Sequence, residues 1–324
     1  MNKNKQYDVI VIGELNVDLI LNGLESFPEI GKEKLAGKMD LVLGSSSAIF
    51  ASNLSSLGAK VGFIGKIGKD VFGKLVLESL NDKNVFTGFI EIDSKLKTGA
   101  TIVLNFNENR AMVTHPGAME HLNLSDIKTE HFRVAKHLHV SSVFLQPEIK
   151  KNITEIFRLA KQNGLTTSLD PQWDPEEKWN LDLESLLPYV DVFLPNEEEI
   201  KYLTGKQNID DALESLKDFG KTIVVKLGNK GSVSYQENKI TKIPAFLNEK
   251  VIDAIGAGDS FDAGFIYKFI QGEGIRNCQT FGNLMGAINT TAAGGTNAFK
   301  NYESVMKTAK EKFGYEEETY ESKN

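Results

Sequence analysis

Asp253-Ala254-Ile255-Gly256-Ala257-Gly258-Asp259-Ser260-Phe261-Asp262-Ala263-Gly264-Phe265 joins an extended segment to an apolar-periodic helix through a turn of small residues. Gly256 and Gly258 bracket Ala257, so the backbone can turn tightly and leave its N–H groups uncovered. Those N–H groups open a helix, where unpaired donors and the macrodipole both favour an anion. Asp259 sets a carboxylate beside that site. An anion hole next to a base suits phosphoryl transfer to a hydroxyl, because positioning and charge stabilisation carry most of that catalysis. The same residues also read as a glycine-rich turn capped by Asp259. The local pattern does not choose between the two.

Working outward, strands and helices alternate. Tyr7–Ile12 reads as a buried strand ended by Gly13, residues 46–57 as a helix stopped by Gly58, and Val61–Ile64 as a strand before a helix over 70–82. Strands at 137–140, 166–169, 190–194 and 222–226 are separated by helices over 148–163, 197–203 and 208–219. Strands at 232–236 and 239–243 precede the opening stretch, and helices over 260–271, 277–293 and 301–312 finish the chain. This order predicts an α/β fold, a doubly wound and mainly parallel sheet with helices on both faces. Segments 15–43 and 86–114 are strand-rich and do not fit that layering, so they are read as a small β lid over the mouth of the sheet, its last two strands turning at Asn107-Glu108-Asn109. One domain is expected over residues 1–313, followed by an acidic tail, 314–324.

With 324 residues, 41% of them hydrophobic, the chain can bury a large core. Its net charge of −7 argues against a nucleic-acid-binding surface. A single cysteine, Cys278, makes neither an internal disulfide nor a metal cluster and points to a reducing cytoplasm. The apolar run before Gly13 is too short for a signal peptide or a membrane span. A soluble cytoplasmic protein is expected.

Two nucleotide motifs fail on inspection. Gly68-Lys69-Asp70-Val71-Phe72-Gly73-Lys74-Leu75 has the spacing of a P-loop but carries leucine where a hydroxyl must reach the metal. The first strand runs into Gly13-Glu14-Leu15-Asn16 without the further glycines of a dinucleotide fingerprint. Other candidates follow strand ends, where ligands bind in open α/β sheets. Asn16 and Asp18 could bind adjacent hydroxyls or close an Asx turn. Gly44-Ser45-Ser46-Ser47 could cap a helix or floor a polyol pocket. Asn196-Glu197-Glu198-Glu199 either complements the helix dipole or organises Mg²⁺ and its waters through Asn196 and Glu199. Lys226-Leu227-Gly228-Asn229-Lys230-Gly231 lets a nucleotide approach, with Lys226 near phosphate, or is a plain turn. His137 and His139 alternate on a strand without ligand spacing and read as structural.

Together and in this order, these residues resemble the ribokinase-type (PfkB) carbohydrate kinase family over nearly the whole chain. Asp253 through Asp259 is similar to the family's DTxGAGD signature; Gly13 through Asp18, Gly44 through Gly58 and Gly65 through Gly73 add further matches. The resemblance implies ATP-dependent phosphorylation of a sugar or similar small molecule with Mg²⁺. Asp259 would take the hydroxyl proton, and the N–H groups of Gly256, Ala257 and Gly258 would hold the transferring phosphoryl. Asn196, Lys226, Gly228, Gly231 and Asn283 would serve the nucleotide, Glu199 the Mg²⁺ through water, and Asn16, Asp18, Gly44 and Ser45 the sugar. Asp253 and the Ile255 carbonyl match a monovalent-cation site, so K⁺ is a candidate activator. In the family, lids commonly pair subunits into dimers.

Some positions depart from the family. Ser45 stands where a second glycine is usual, and Ile49 replaces a sugar-contacting asparagine. Asp170-Pro171-Gln172-Trp173 resembles a sugar-kinase loop that lacks its arginine. Arg110, on the lid, is a candidate for an acidic or phosphorylated substrate. A nucleoside or sugar-phosphate kinase, a silent sugar-binding sensor and an NAD-dependent oxidoreductase remain as rivals, the last disfavoured by the missing glycines.

Overall fold

The computed structural model describes residues 5–106 and 109–316. Asn107 and Glu108 of the expected lid turn, and tail residues 317–324, lie outside the described residues. In chain order the strands are β1 (Tyr7–Ile12), β2 (Asn16–Asn22), β3 (Lys38–Leu43), β4 (Val61–Gly68), β5 (Phe86–Asp93), β6 (Gly99–Phe106) and β7 (Asn109–His115). They continue with β8 (Ala135–Ser141), β9 (Thr166–Asp170), β10 (Val192–Phe193), β11 (Thr222–Lys226), β12 (Ser232–Gln236) and β13 (Lys239–Ile243).

Nine strands form one sheet in the order β13-β12-β11-β10-β9-β8-β1-β4-β5. From β11 to β5 all neighbours are parallel, while β12 and β13 add an antiparallel edge. The apolar run of β1 makes sense here. Ile10 and Ile12 pack into the core on one face of the sheet, and Val9 and Val11 into the core on the other. A strand buried on both faces has no reason to alternate. The order reverses at β1, which lies between β8 and β4. A crevice therefore opens beyond the carboxyl ends of the central strands.

Helices Ser46–Ser56, Val71–Asp82 and Ala257–Phe269 cover one face. Ile153–Gln162, Glu197–Thr204 and Ile209–Leu216 cover the other. A third apolar cluster ties Ile275–Asn289 to Tyr302–Phe313.

The small sheet has the order β3-β2-β6-β7. Segment 86–114 is thus divided. Phe86–Asp93, read from sequence as part of the lid, pairs in parallel with β4 at the edge of the large sheet. Its half-exposed alternation comes from being an edge strand, which sequence pattern alone cannot separate from a lid strand. Two further readings change. The expected 148–163 helix breaks at Asn152 into Pro147–Lys151 and Ile153–Gln162, and the helix expected from 260 begins at Ala257.

Candidate active site

Five carboxyl-terminal strand ends converge on the crevice. Glu14 and Asn16 follow β1, Ser141 ends β8, Asp170 ends β9, Asn196 follows β10 and Lys226 ends β11. Parallel pairing alone brings together residues up to 212 positions apart, Glu14 and Lys226 being the extremes.

The opening stretch forms the floor. Gly256 caps the helix Ala257–Phe269 with φ 75°, and no side chain caps its N-terminus. A side chain at Gly256 would meet the Gly295 backbone and Ile49 as well as the backbone strain, so the position requires glycine. The Ala257 N–H turns back to the Ala254 carbonyl at 3.3 Å. Among the described residues no acceptor takes the N–H of Gly256, Gly258 or Asp259. These three N–H groups are left open, while that of Ala257 is partly engaged. Asp259 lies in the first helical turn and is buried. Burial raises its carboxyl to about 7, with the Asp170 charge adding to the rise and Lys226 opposing it.

Lys226, expected near phosphate, borders both cavities with its ammonium already engaged by protein acids. Its ammonium is held by Asp170 Oδ2 at 2.8 Å and Asp262 Oδ2 at 3.0 Å, all three side chains being nearly covered. Burial alone would raise Asp170, but the Lys226 ammonium overrides it and holds that carboxyl below the usual range. Burial opposes the Lys226 charge too, and Asp170 and Asp262 hold its pKa above the ordinary value. Sequence separations of 56 and 36 residues hid this triad. Gln172, noted only as part of a loop, donates Nε2 to Asp170 Oδ2 at 2.6 Å and to Asp259 Oδ1 at 2.9 Å.

On the small sheet, Asn16 Nδ2 donates to Asp18 Oδ1 at 3.0 Å and to Thr101 Oγ1 at 2.9 Å. Burial raises the Asp18 carboxyl to about 6, opposed by the Asn16 hydrogen bond and the Arg110 charge. A side chain at Gly44 would overlap the Asp18 carboxylate. Ser45 has φ 70°, which explains why a glycine suits that position. Its hydroxyl donates to the Glu14 carbonyl at 2.6 Å and accepts from Ala48 N at 2.9 Å. Ser45 thus caps a helix as well as bordering the cavity. Arg110 is exposed on β7 at the cavity rim.

Asn196 and Glu199 form a reciprocal capping box. Glu199 Oε2 accepts from Asn196 N at 2.9 Å, and Oε1 accepts from Asn196 Nδ2 at 2.6 Å. Burial, then the Asp170 charge, raises Glu199 to about 8.

Two cavities adjoin. One of about 490 Å³ lies under the small sheet and reaches Asp18, Arg110, Asn196, Glu199, Lys226 and Asp259. The other, about 300 Å³, is mostly apolar and runs from Gly228 and Gly231 to Phe246 and Asn283. Lys226, Gly228, Ala257 and Gly258 border both, so the helix N-terminus stands at their junction. Asn283 donates to the Ile243 and Pro244 carbonyls at 3.2 and 3.1 Å, shaping the second cavity.

Asp253 closes its own loop, accepting from Ile255 N at 2.9 Å and Gly294 N at 2.8 Å. The Ile255 carbonyl accepts from Asn289 Nδ2 at 2.6 Å. His137 and His139 sit inside the sheet on Ser168, and burial pushes each down to about 3. Among the described residues no group of three or more His, Cys, Asp or Glu side chains is arranged to hold a metal ion. Nor is any described helix long and apolar enough to cross a membrane.

The chain as a whole has counterparts among known proteins. Residues 6–301 match the model of the pfkB family carbohydrate kinases. An uncharacterised sugar kinase of Archaeoglobus fulgidus is 31% identical over 72% of this chain and 92% of its own. Ribokinase of Haemophilus influenzae is 26% identical over 91% of this chain and 96% of its own. The chain belongs to the pfkB family and is an enzyme of the ATP-dependent carbohydrate kinase class. Its fold is ribokinase-like. The structure of Arabidopsis thaliana ribokinase complexed with ribose and ATP superposes with a TM-score of 0.82 at 24% identity, covering 93% of this chain and 98% of that one.

Proposed function

We propose that this protein transfers the γ-phosphoryl group of ATP to a hydroxyl of a sugar or sugar derivative, with Asp259 as the base. The observation that carries this reading is the buried Asp259 carboxyl beside open helix N–H groups at the junction of two cavities. ATP occupies the apolar chamber, its base toward Asn283 and its phosphates over Gly256 and Gly258. The acceptor lies under the small sheet, with two of its hydroxyls on Asp18 and Asn16. Asp259 takes the proton of the attacking hydroxyl as the new O–P bond forms. The bond from the γ-phosphorus to the bridging oxygen breaks, and ADP leaves. The open N–H groups stabilise charge on the transferring oxygens.

Four carboxyls, Asp170, Asp262, Glu199 and Asp259, surround one ammonium here, so the cluster suits a further cation. Mg²⁺ keeps waters and leans on phosphate oxygens, so it needs few protein ligands. When bound, Mg²⁺ neutralises phosphate charge; Glu199 would hold one of its waters, and Asn196 holds Glu199 in place. For K⁺, the Asp253 and Ile255 oxygens already accept protein donors and have only their second lone pairs to offer. No step above depends on it.

One observation favours a second reading of the acceptor. Ile49, Val103, Met112 and Trp173 give the first cavity an apolar wall, in which Val103 and Met112 share the small-sheet face that carries Asp18. That wall suits an acceptor carrying an apolar or planar group, as a nucleoside does, while Arg110 at the rim suits an anionic one. A panel of D-ribose, 2-deoxy-D-ribose, D-fructose, 5-dehydro-2-deoxygluconate, adenosine and a sugar phosphate, read by ADP release with and without K⁺, decides between them. Ligand binding without ADP release from any of them would favour a sensor and defeat the kinase reading.

We further propose a cytoplasmic homodimer. Leu41, Leu19, Ile102 and Val113 align across the four strands of the small sheet, on the face opposite Asp18. Val113 is 65% and Ile102 42% exposed. A contiguous apolar row on a sheet face supports pairing with a second copy. Light scattering of Ile102→Lys tests it, a monomer being expected. The lone Cys278 is buried, and burial pushes its thiol up to about 12, which suits a reducing compartment but does not require one.

A further inference from the structure

Gln172 sits in a strained and committed position. It follows Pro171 at the end of β9 with φ 60°, a left-handed conformation that a residue other than glycine holds only under strain. The strain delivers one group to one place. Its amide NH₂ bridges Asp170 Oδ2 at 2.6 Å and Asp259 Oδ1 at 2.9 Å. The backbone N–H of the same residue also reaches Asp170 Oδ1 at 3.3 Å.

The direction of these bonds is fixed by charge. Asp170 is clamped on its other side by the Lys226 ammonium at 2.8 Å, which keeps it an ionised acceptor. An amide facing an ionised carboxylate must present its NH₂, because its oxygen would be repelled. The second hydrogen of that NH₂ then has one acceptor left within reach, Asp259. Lys226, Asp170, Gln172 and Asp259 thus form a chain in which each link fixes the next, running from the end of β11 through β9 to the helix Ala257–Phe269.

We infer that Gln172 is a positioning residue of this kinase, holding one oxygen of the Asp259 carboxylate so that the attacking hydroxyl meets a base of fixed orientation. The inference rests on the proposed role of Asp259. Glutamine at this place supplies a neutral donor between two acids, where glutamate would add a third negative charge. The groups facing Asp259 are Asp170 from β9, Lys226 from β11, Glu14 after β1, Glu199 from its helix and the Ser46 hydroxyl. Of the side-chain bonds to Asp259 described here, the one from Gln172 is a donor that cannot ionise and is itself anchored by an ion pair.

The test compares wild type with Gln172→Met, which keeps the length of the side chain and removes the donor, and Gln172→Glu, which keeps its shape and reverses its role. Steady-state kinetics use the panel acceptor with the highest wild-type turnover. We expect kcat to fall by about 10–100-fold in Gln172→Met, the scale of a displaced catalytic group, and further in Gln172→Glu, with KM for ATP within about twofold of wild type. Melting temperature is measured on each variant, and whichever variant melts like wild type is the one read. An active wild type with an equally active, wild-type-melting variant overturns the positioning role alone. So does a loss seen mainly as raised KM, or one accounted for by unfolding of both variants. If wild type turns over no acceptor, the kinase reading fails, and this inference with it.

Discussion

Replacing Lys226 by methionine removes the ammonium from between Asp170 and Asp262 without changing the length of the side chain much. The lysine side chain is 11% exposed and each acid 1%, so solvent cannot take over its role. Removing one partner of a buried ion pair leaves uncompensated charge and costs about 3–5 kcal/mol. Unfolding entropy near 2.1 cal/mol/K per residue gives a 324-residue domain about 0.7 kcal/mol/K, so Tm should drop by about 4–7 °C. The pH dependence follows from the acids. In wild type, Asp170 is held below its ordinary range, so its contribution is present above the unfolded pKa and lost as pH falls through the folded one. Without the ammonium, burial raises the same carboxyl, which penalises the variant more as pH rises. The gap between the two proteins should therefore be large at pH 8 and narrower at pH 5. Adding Asp170→Asn to Lys226→Met removes one stranded charge and should recover part of the loss. Thermal melts followed by circular dichroism at both pH values measure all three proteins. A Lys226→Met protein melting within about 1 °C of wild type at pH 8, or a gap that does not change with pH, would refute the buried-charge argument.

Other outcomes follow from the same geometry. With its carboxyl raised to about 7, Asp259 is mostly protonated in mildly acidic solution, so kcat/KM for ATP should fall as pH drops below about 7; an acid limb near 4 would contradict the burial argument. Asp18, Asp259 and Glu199 are all raised, to about 6, 7 and 8, so they favour the folded state below the unfolded carboxyl range and lose that advantage as pH rises through those values. Ligand-free protein should accordingly melt lower at pH 8 than at pH 6. Ser45→Gly loses both hydroxyl bonds but relieves a left-handed backbone, leaving stability nearly unchanged. Ser45→Ala keeps the strain and loses both hydroxyl bonds, destabilising by about 2 kcal/mol in chemical denaturation.

Much of this site could be read from local chemistry. Glycines, the acid at 259 and strand ends followed by polar residues declare themselves within a few positions, because backbone freedom and helix polarity are local properties. What escaped depends on distance or on shared signatures. The ion pairs of Lys226 stayed hidden because its two acids come from β9 and from the helix after Gly256. Gln172 carried no signal beyond its loop, because a bridging amide is recognised only by what stands on both sides. The helix start moved from 260 to 257 because Gly256 and Gly258, poor helix formers, flank Ala257 and hide the first turn from a propensity reading. Phe86–Asp93 alternated like a lid strand because an edge strand of the large sheet is half-exposed in the same way. At Asn152 the helix breaks without proline or glycine, and periodicity ran straight through it.

The central claim is that Asp259 deprotonates an acceptor hydroxyl at an anion-binding helix N-terminus. It is tested most directly by turnover of Asp259→Asn with Mg·ATP and the best panel acceptor, alongside calorimetric ATP binding. The account predicts a loss of about 10²–10⁴-fold in kcat with ATP affinity and Tm retained. Turnover close to wild type in a folded Asp259→Asn protein would contradict it.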